Sequence, residues 1–449
     1  MSEAASATQP ATLRRTLTLW DLILYGIIVI QPTAPMSVFG VLSDRGRGHV
    51  VTTILLAMVA MLFTAISYGR MARVYPSAGS AFTYVGQELN PALGYVTGWS
   101  MAMDYMLNPM ICIIWCSKAA INFAPQIPYP VMAIFFFLIF TGLNLQGIKT
   151  SARLNTALAA GMGVVIAIFF VAAARYVLGH PHDGAAFFTR PFYDPALFNL
   201  RAVLGGTSIA VLTYIGFDGI STLSEEAEDP RRNILLATVL TCLVIGVLSA
   251  FQVYAAQLVW PATQPFPDTD TAFVHVAGRA AGAWFFVVMN LTLLVANFGS
   301  GMGAQLGAAR LLFGMARGNA LPRSFFGAVD PRHRVPRNNV IFVGVVALAG
   351  AFLISYELGA EMLNFGALIA FMGVNAAALI HYYIRAEEKK LGNLLPPALG
   401  FAVCLLLWLN LSRPAMIAGS IWMAAGIAFG AWKTGGFRRD LVDFEVPAE

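Results

Sequence analysis

Apolar stretches as long as a membrane is thick recur along almost the whole of this 449-residue chain. A helix needs about 20 mainly apolar residues to cross the hydrocarbon core of a bilayer. Twelve such stretches can be drawn here, separated by short polar segments. Charged residues make up only 11% of the chain, against roughly 25% in a soluble domain. The pattern excludes a soluble globular fold and predicts an all-α membrane protein with twelve transmembrane helices.

The predicted spans form one membrane domain over residues 19–433, between a tail at residues 1–18 and a second tail at residues 434–449. The third and eighth spans are longer than a bilayer requires, so we expect them to tilt or to extend beyond it. The first 18 residues carry no apolar core of the kind found in a cleavable signal. We therefore expect the chain to keep its N-terminus and to insert through its first span. The twelve spans are residues 19–42, 50–72, 82–120, 130–147, 153–178, 202–226, 233–258, 282–316, 338–356, 361–384, 394–411 and 415–433.

Lysine and arginine are divided unevenly between the two sides of the predicted membrane domain. With a cytoplasmic N-terminus, 20 of the 28 basic residues fall in inside segments and eight in outside segments. Cytoplasmic loops carry such an excess of basic residues, so both termini are predicted to lie in the cytoplasm, beneath the cell (inner) membrane. Arg45 and Arg47 run against this bias, because they fall in a short outside loop. The same bias accounts for the pI near 9.0 without a nucleic-acid partner.

The sixth span contains a carboxylate between two glycines, since residues 213–220 read TYIGFDGI. Gly216 and Gly219 weaken a helix, each by up to about 1 kcal/mol relative to alanine. Asp218 lies between them, and an ionisable residue at membrane depth is costly and usually faces protein or a water-filled interior. A weakened helix with a buried charge predicts a helix that opens around a polar substrate.

The first span is also interrupted, because Pro32 and Pro35 stand in its middle. Proline removes a backbone donor and disrupts helical hydrogen bonds. Interruptions in the first and sixth of twelve spans fit a five-plus-five inverted repeat, LeuT-like, with two spans appended. Interrupted segments at matching places in two halves point to the binding site of a secondary transporter.

Three stretches of the chain resemble one known family. The sixth-span stretch continues into residues 224–233, which read SEEAEDPRRN; residues 75–84 read YPSAGSAFTY; residues 309–322 read ARLLFGMARGNALP. Together they resemble the amino acid–polyamine–organocation permeases, in the order that the family shows. Residues 99–105, which read WSMAMDY, and the proline-rich first break look most like the bacterial putrescine importers. The resemblance implies two inverted five-helix repeats with the substrate between the unwound parts of helices one and six.

Carried onto this chain, the resemblance implies a substrate site made of Gln31, Thr33, Ala34, Asp104, Tyr214, Gly216, Phe217 and Asp218. Many members of the family have Gly-Ser-Gly at the first break, where free N–H groups hold the carboxylate of an amino acid. Pro32 and Pro35 remove two of those donors here. The departure favours an amine over a carboxylate-bearing amino acid as the substrate.

Each residue of the second break also has a plainer interpretation. Asp218 either binds a substrate ammonium or caps amides that the break exposes. Phe217 and Tyr214 either wall the site and offer a cation–π face, or serve packing alone. These alternatives remain open at the level of the sequence.

Asp104 lies in an apolar run and is a functional candidate for the same reason as Asp218. Two carboxylates in one cavity suit a diamine, in which each end needs an anion. The alternative is a structural pairing of Asp104 with Lys118 or Tyr105. The acidic residues 225–229 form either a gate network or a solvated loop, and Glu88 is a lesser candidate for proton transfer.

The sequence thus predicts a secondary transporter that imports a small organic amine, a polyamine such as putrescine, by alternating access. Protons are the expected coupling ion, although residues 158–163 lack the lysine that some proton-coupled members carry. We find no nucleophile–base pair, phosphate-binding loop or metal-ligand cluster in the sequence, so no enzyme and no bound cofactor are expected. An amino acid permease of the same fold is the alternative, and a non-transporting nutrient sensor is a further one. The expected partners are the substrate and the lipid bilayer.

Overall fold

The computed structural model describes residues 16–437, except 77–79, 148–151, 225, 318–320, 331 and 334. Within these ranges the chain is helical, and its only β-type pairing is an isolated bridge between Leu17 and Ala227. The helices are α1 Leu19–Ile30, α2 Ala34–Arg45, α3 Val50–Val74, α4 Ser80–Glu88, α5 Pro91–Ile121, α6 Tyr129–Leu145, α7 Ala152–Gly179, α8 Ala185–Thr189, α9 Leu200–Ala210, α10 Pro230–Val259, α11 Ala272–Ala281, α12 Ala283–Arg317, α13 Arg323–Phe326, α14 Arg337–Leu353, α15 Tyr356–Leu379, α16 Leu391–Leu409 and α17 Arg413–Thr434.

Parts of the predicted motifs lie outside the described residues. They include most of the N-terminal tail and the end of the C-terminal tail, together with residues 77–79, Lys149, Glu225 and residues 318–319. The predictions made for these residues stay predictions.

Eight of the described segments are long and apolar enough to cross a membrane, and the bent pair α1–α2 makes a ninth if it is one span. Two shorter apolar helices, α6 and α14, add to these. The helix α5 has 31 residues but carries Asp104 and Lys118. An all-helical membrane fold is therefore confirmed, while the count of twelve spans stays a prediction.

The break in the first span separates α1 from α2 with a bend of 46°. The start of α1 is fixed by Thr18, whose hydroxyl accepts a hydrogen bond from the Asp21 amide at 3.3 Å. The helix ends at Ile30, and Gln31 adopts a positive φ of 70°. Pro35 then lies in the first turn of α2, where its missing N–H would have had no helical partner.

The break in the sixth span lies where the glycines predict it. After α9 the chain continues as one 3₁₀ turn at Val211–Thr213 and a second 3₁₀ segment at Phe217–Leu223. Between them, Gly216 has a φ of 122°, a conformation that side chains disfavour. Gly216 thus supplies the positive φ that the break between the two 3₁₀ segments needs.

The third span begins later than residue 82, which is a correction to the sequence-based bounds. The structure places a separate short helix, α4, before α5, and the two are divided at Asn90. The Asn90 side chain accepts a hydrogen bond from the Leu93 amide at 2.8 Å, and Pro91 occupies the first helical position. Asparagine followed by proline is a strong helix start, so one continuous span from 82 to 120 cannot form.

Close helix approaches at glycine hold the bundle together around both breaks. The helices α3 and α10 pack along each other, and α5 packs along both α12 and α15. A Cβ added at Gly69 would lie 2.5 Å from the Leu235 backbone, and one at Gly366 only 2.3 Å from the Ser100 carbonyl oxygen. The four cysteines of the chain are buried and unpaired in this core, as expected of small apolar residues.

Candidate substrate site

The two helix breaks face each other across the centre of the bundle. A Cβ added at Gly216, in the second break, would lie 3.1 Å from side-chain carbons of both Val29 and Ile30, at the end of α1. The interruptions predicted from glycine and proline are thus neighbours in space, although about 185 residues separate them in the sequence. Two interrupted spans that lie side by side are the arrangement expected around the binding site of a secondary transporter.

Asp218 is buried at this junction, with 8% of its surface exposed. Its Oδ1 accepts a hydrogen bond from the Gly216 amide at 3.1 Å, so the carboxylate does cap the break. An ionised carboxylate has about four acceptor positions on two oxygens. The amides of Asp218 and Gly219 also act on this carboxylate as hydrogen-bond donors. The cap therefore takes up most of its acceptor capacity and leaves room for one further donor.

Three tyrosines from three helices surround Asp218. Its charge acts on the hydroxyl groups of Tyr25 in α1, Tyr68 in α3 and Tyr105 in α5. The Tyr25 hydroxyl would lie 3.8 Å from a Cβ added at Gly219. Of these tyrosines the sequence pointed only to Tyr105, and to that one only as a structural partner of Asp104. The signal available for the others was a phenol inside an apolar span, close to a break or to a carboxylate.

Asp104 is buried to the same degree as Asp218, and the two carboxylates repel each other electrostatically. Within the described residues, Asp104 has no hydrogen bond and no ion pair. Lys118, one structural partner considered above, instead binds Asp270 at 2.5 Å and Asp268 at 3.4 Å. Asp104 and Asp218 are thus two buried carboxylates that are close enough for their charges to interact, and neither has a basic partner in the described part of the chain.

Tyr214 and Phe217 lie in the packed core beside these carboxylates. The Tyr214 hydroxyl donates to the Ile54 carbonyl at 2.8 Å and so fastens the second break to α3. The Phe217 ring packs against Tyr68 and Phe371, each with a centroid separation of 5.5 Å. Both side chains are fully buried, and in this conformation they shape the break by packing.

The first break is tied to helices from several directions by side-chain amides. Gln31 donates to the Ala296 carbonyl of α12 at 2.8 Å, and Gln252 of α10 donates to the Pro32 carbonyl at 2.9 Å. The Thr33 hydroxyl lies 3.8 Å from the sulfur of Met162 in α7. Ala34 begins α2, and its amide donates to the Gln31 carbonyl at 3.1 Å. The predicted residues of this break hold its backbone in place.

Open space borders the site along one face of α12. Gly299, Gly303 and Gly307 lie on that face at four-residue spacing, the spacing that lines up one side of a helix. A Cβ at Gly307 would contact the Tyr105 ring at 3.4 Å, whereas Gly299 and Gly303 have no atom within reach. The absence of side chains at these positions leaves room beside Tyr105.

Ion pairs join the C-terminal end of α2 to the start of α15. Arg45 binds Glu357 at 2.9 Å and Glu361 at 2.5 Å, and Glu361 also accepts a hydrogen bond from Ser412. This pairing explains why Arg45 tolerates a loop that the distribution of basic residues disfavours. The arginine is held by two carboxylates at the start of α15.

The sequence pattern described as Amino acid permease matches residues 35–444. The chain belongs to this family. The low-affinity putrescine importer PlaP of Escherichia coli (strain K12) is 35% identical over 98% of both chains. The branched-chain amino acid permease BcaP of Bacillus subtilis (strain 168) is 24% identical over 94% of both chains. The vacuolar cationic amino acid transporter 4 of Arabidopsis thaliana is 25% identical over 86% of this chain and 66% of its own.

These matches confirm the resemblance to the amino acid–polyamine–organocation permeases, including the similarity to putrescine importers. The protein is a multi-pass membrane transporter of that superfamily, and its relatives are transporters rather than enzymes. Their names cover putrescine, branched-chain amino acids and cationic amino acids. Family membership by itself therefore leaves the substrate to the chemistry of the site.

Proposed function

We propose that this transporter imports a small organic amine, with putrescine as the first candidate, across the cell (inner) membrane by alternating access. The observation that carries the proposal is the pair of buried carboxylates, Asp104 and Asp218, without a basic partner in the described residues. Two neighbouring buried anions are costly unless cations or protons neutralise them. A diamine supplies a cation at each end, and the similarity to a putrescine importer supports the same substrate.

In the proposed complex, one ammonium group binds the free acceptor position of Asp218 and the other binds Asp104. The aliphatic stem lies beside the ring of Tyr105, next to the space that the α12 glycines leave, where an apolar surface replaces water. Proton coupling is part of the proposal because the sequence carries no sodium-specific signal, and the proposal assigns the proton to no particular residue.

The proposed architecture is the twelve-span inverted repeat with both termini in the cytoplasm. The pair α1–α2 corresponds to α9 with its 3₁₀ segments, and α3 corresponds to α10. The short helices α4 and α11 each precede the third long helix of their half, α5 and α12. In the same order α6 matches α14 and α7 matches α15, while α16 and α17 are appended. Extensive packing between the corresponding helices α3 and α10 supports a two-fold relation at the centre.

The proposed repeat pairs the α5–α15 contact of the structure with the α12–α7 contact, and these two contacts differ. The helix α5 packs closely along α15, but the corresponding pair, α12 and α7, makes little contact. Inverted repeats change access by exchanging such arrangements between their halves.

Uptake by an Asp218→Asn variant tests the proposal. In proteoliposomes with an imposed proton gradient, wild type should show saturable uptake of radiolabelled putrescine, and the variant should lose it while remaining in the membrane. Asp183→Asn, in an exposed loop pair with Arg190, is the matched control and should transport normally. Unchanged uptake by Asp218→Asn would overturn the assignment.

Transport of an amino acid is the second candidate, because two of the relatives are named as amino acid transporters. Competition separates the candidates: excess diamine blocks an amine site, whereas a site built for a carboxylate responds to amino acids and ignores diamines. A nutrient sensor would bind one of these compounds without any flux.

A further inference from the structure

A groove of about 610 Å³ lies on the surface of the protein, between the last turns of α7 and the junction of α11 with α12. Small apolar residues form much of its wall, including Ala167 and Val171 from α7 and Ala280 and Ala281 from α11. Trp284, at the start of α12, lines the other side and is 55% exposed. The mainly apolar lining suits an acyl chain.

Arg175 is the one charged side chain among the described residues that line this groove. It is exposed, and it has no hydrogen bond or ion pair within the described part of the chain. Arg279, nearby, is by contrast fully engaged: it donates to Tyr176 at 2.8 Å and to Gln264 at 2.5 Å. The groove therefore combines an apolar floor with a guanidinium that lacks an anion.

Arg175 and Trp284 lie near helix ends, whereas the apolar wall of the groove lies further along the helices. Arg175 is four residues from the end of α7 and Trp284 is the second residue of α12, so both stand at helix ends. Ala167 is eight residues before Arg175, which places it about 12 Å deeper along the helix. Tryptophan and arginine at helix ends are typical of the boundary between lipid headgroups and acyl chains.

We propose that this groove binds an anionic phospholipid, with its phosphate on Arg175 and an acyl chain against the alanines of α7 and α11. A planar guanidinium binds phosphate oxygens through two parallel hydrogen bonds. A headgroup with net negative charge is favoured because no carboxylate lines the described groove. The site lies on the bilayer side of α7, apart from Asp218 and Asp104, and does not depend on the transported substrate.

Quenching of tryptophan fluorescence by brominated lipids tests the proposal on the full-length protein in detergent. Phosphatidylglycerol and phosphatidylcholine with the same brominated chains are titrated in parallel. Wild type should bind phosphatidylglycerol more tightly, and Arg175→Gln should reduce that preference by about fivefold, the effect of one basic residue near an anionic surface. Trp284→Phe should remove the part of the fluorescence quenching that saturates at the lowest lipid concentration.

The matched control is Arg201→Gln, an exposed arginine in the first turn of α9 that does not line the groove. It should keep the wild-type preference. Equal quenching of wild type by both lipids, an unchanged preference in Arg175→Gln, or an equal loss in Arg201→Gln would each overturn the proposal. Displacement of phosphatidylglycerol by inorganic phosphate alone would assign Arg175 to a free anion and would overturn it as well.

Discussion

The two helix breaks meet at one site but are built by different means. In the first break, prolines remove backbone donors, and neutral amides from Gln31 and Gln252 tie the loop to α12 and α10. In the second break, Gly216 has a φ of 122°, and the Asp218 carboxylate accepts a hydrogen bond from the Gly216 amide. The first break is held from outside by neutral groups, whereas the second carries its own charge. In the proposed complex, the charge that binds the cation therefore belongs to the second break.

The largest effect is expected from Gly216→Ala, which attacks the backbone of the second break. Alanine at a φ of 122° is strained, and its Cβ would lie 3.1 Å from Val29 and Ile30. The strain costs about 1–3 kcal/mol and displaces Asp218 from its cap. We expect putrescine uptake by proteoliposomes to be lost.

Gly142→Ala is the control for that change, because a Cβ on this α6 glycine meets nothing within 4 Å. It should transport as wild type does. Wild-type uptake by Gly216→Ala would mean that the second break does not depend on glycine. The two breaks would then not differ in the way described above.

A smaller effect is expected from Asp104→Asn, which tests whether the charge of the second break has a partner. If Asp104 binds the second ammonium of a diamine, the KM for putrescine should rise about tenfold, equivalent to about 1.4 kcal/mol. Inhibition by a monoamine of the same length should stay as in wild type, since Asp218 alone binds it. Equal loss for diamine and monoamine would show that Asp104 supports the site in another way.

Glycine and proline made both breaks predictable, because their backbone effects are local. Asp104 and Asp218 were equally visible as carboxylates in apolar spans. The grouping of tyrosines near Asp218 could not be predicted in this way, because Tyr25, Tyr68 and Tyr105 belong to three helices that come together only in the folded protein. The ion pair between Arg45 and Glu361 joins residues 316 apart in the sequence, a distance that no local pattern spans.

The third span shows a different limit of the sequence. The sequence-based bounds merge α4 with α5, although the polar stretch QELN at residues 87–90 separates them. Asn90 and Pro91 carry the boundary, and they act through one capping bond and one fixed φ. The Asn90-Pro91 pair makes the start of the third span uncertain from the sequence, and the structure places the boundary at this pair.

The smallest effect is expected from Gln252→Leu, which removes an outside support of the first break. The change leaves the Pro32 carbonyl buried without its 2.9 Å donor, at a cost of about 1–3 kcal/mol. The midpoint of thermal unfolding in detergent should fall, while the KM for putrescine stays close to wild type because no charge at the site changes. Gln126→Leu, at an exposed loop position, should leave the midpoint unchanged. A large rise in KM without a loss of stability would place Gln252 at the substrate and make the first break a direct participant in recognition.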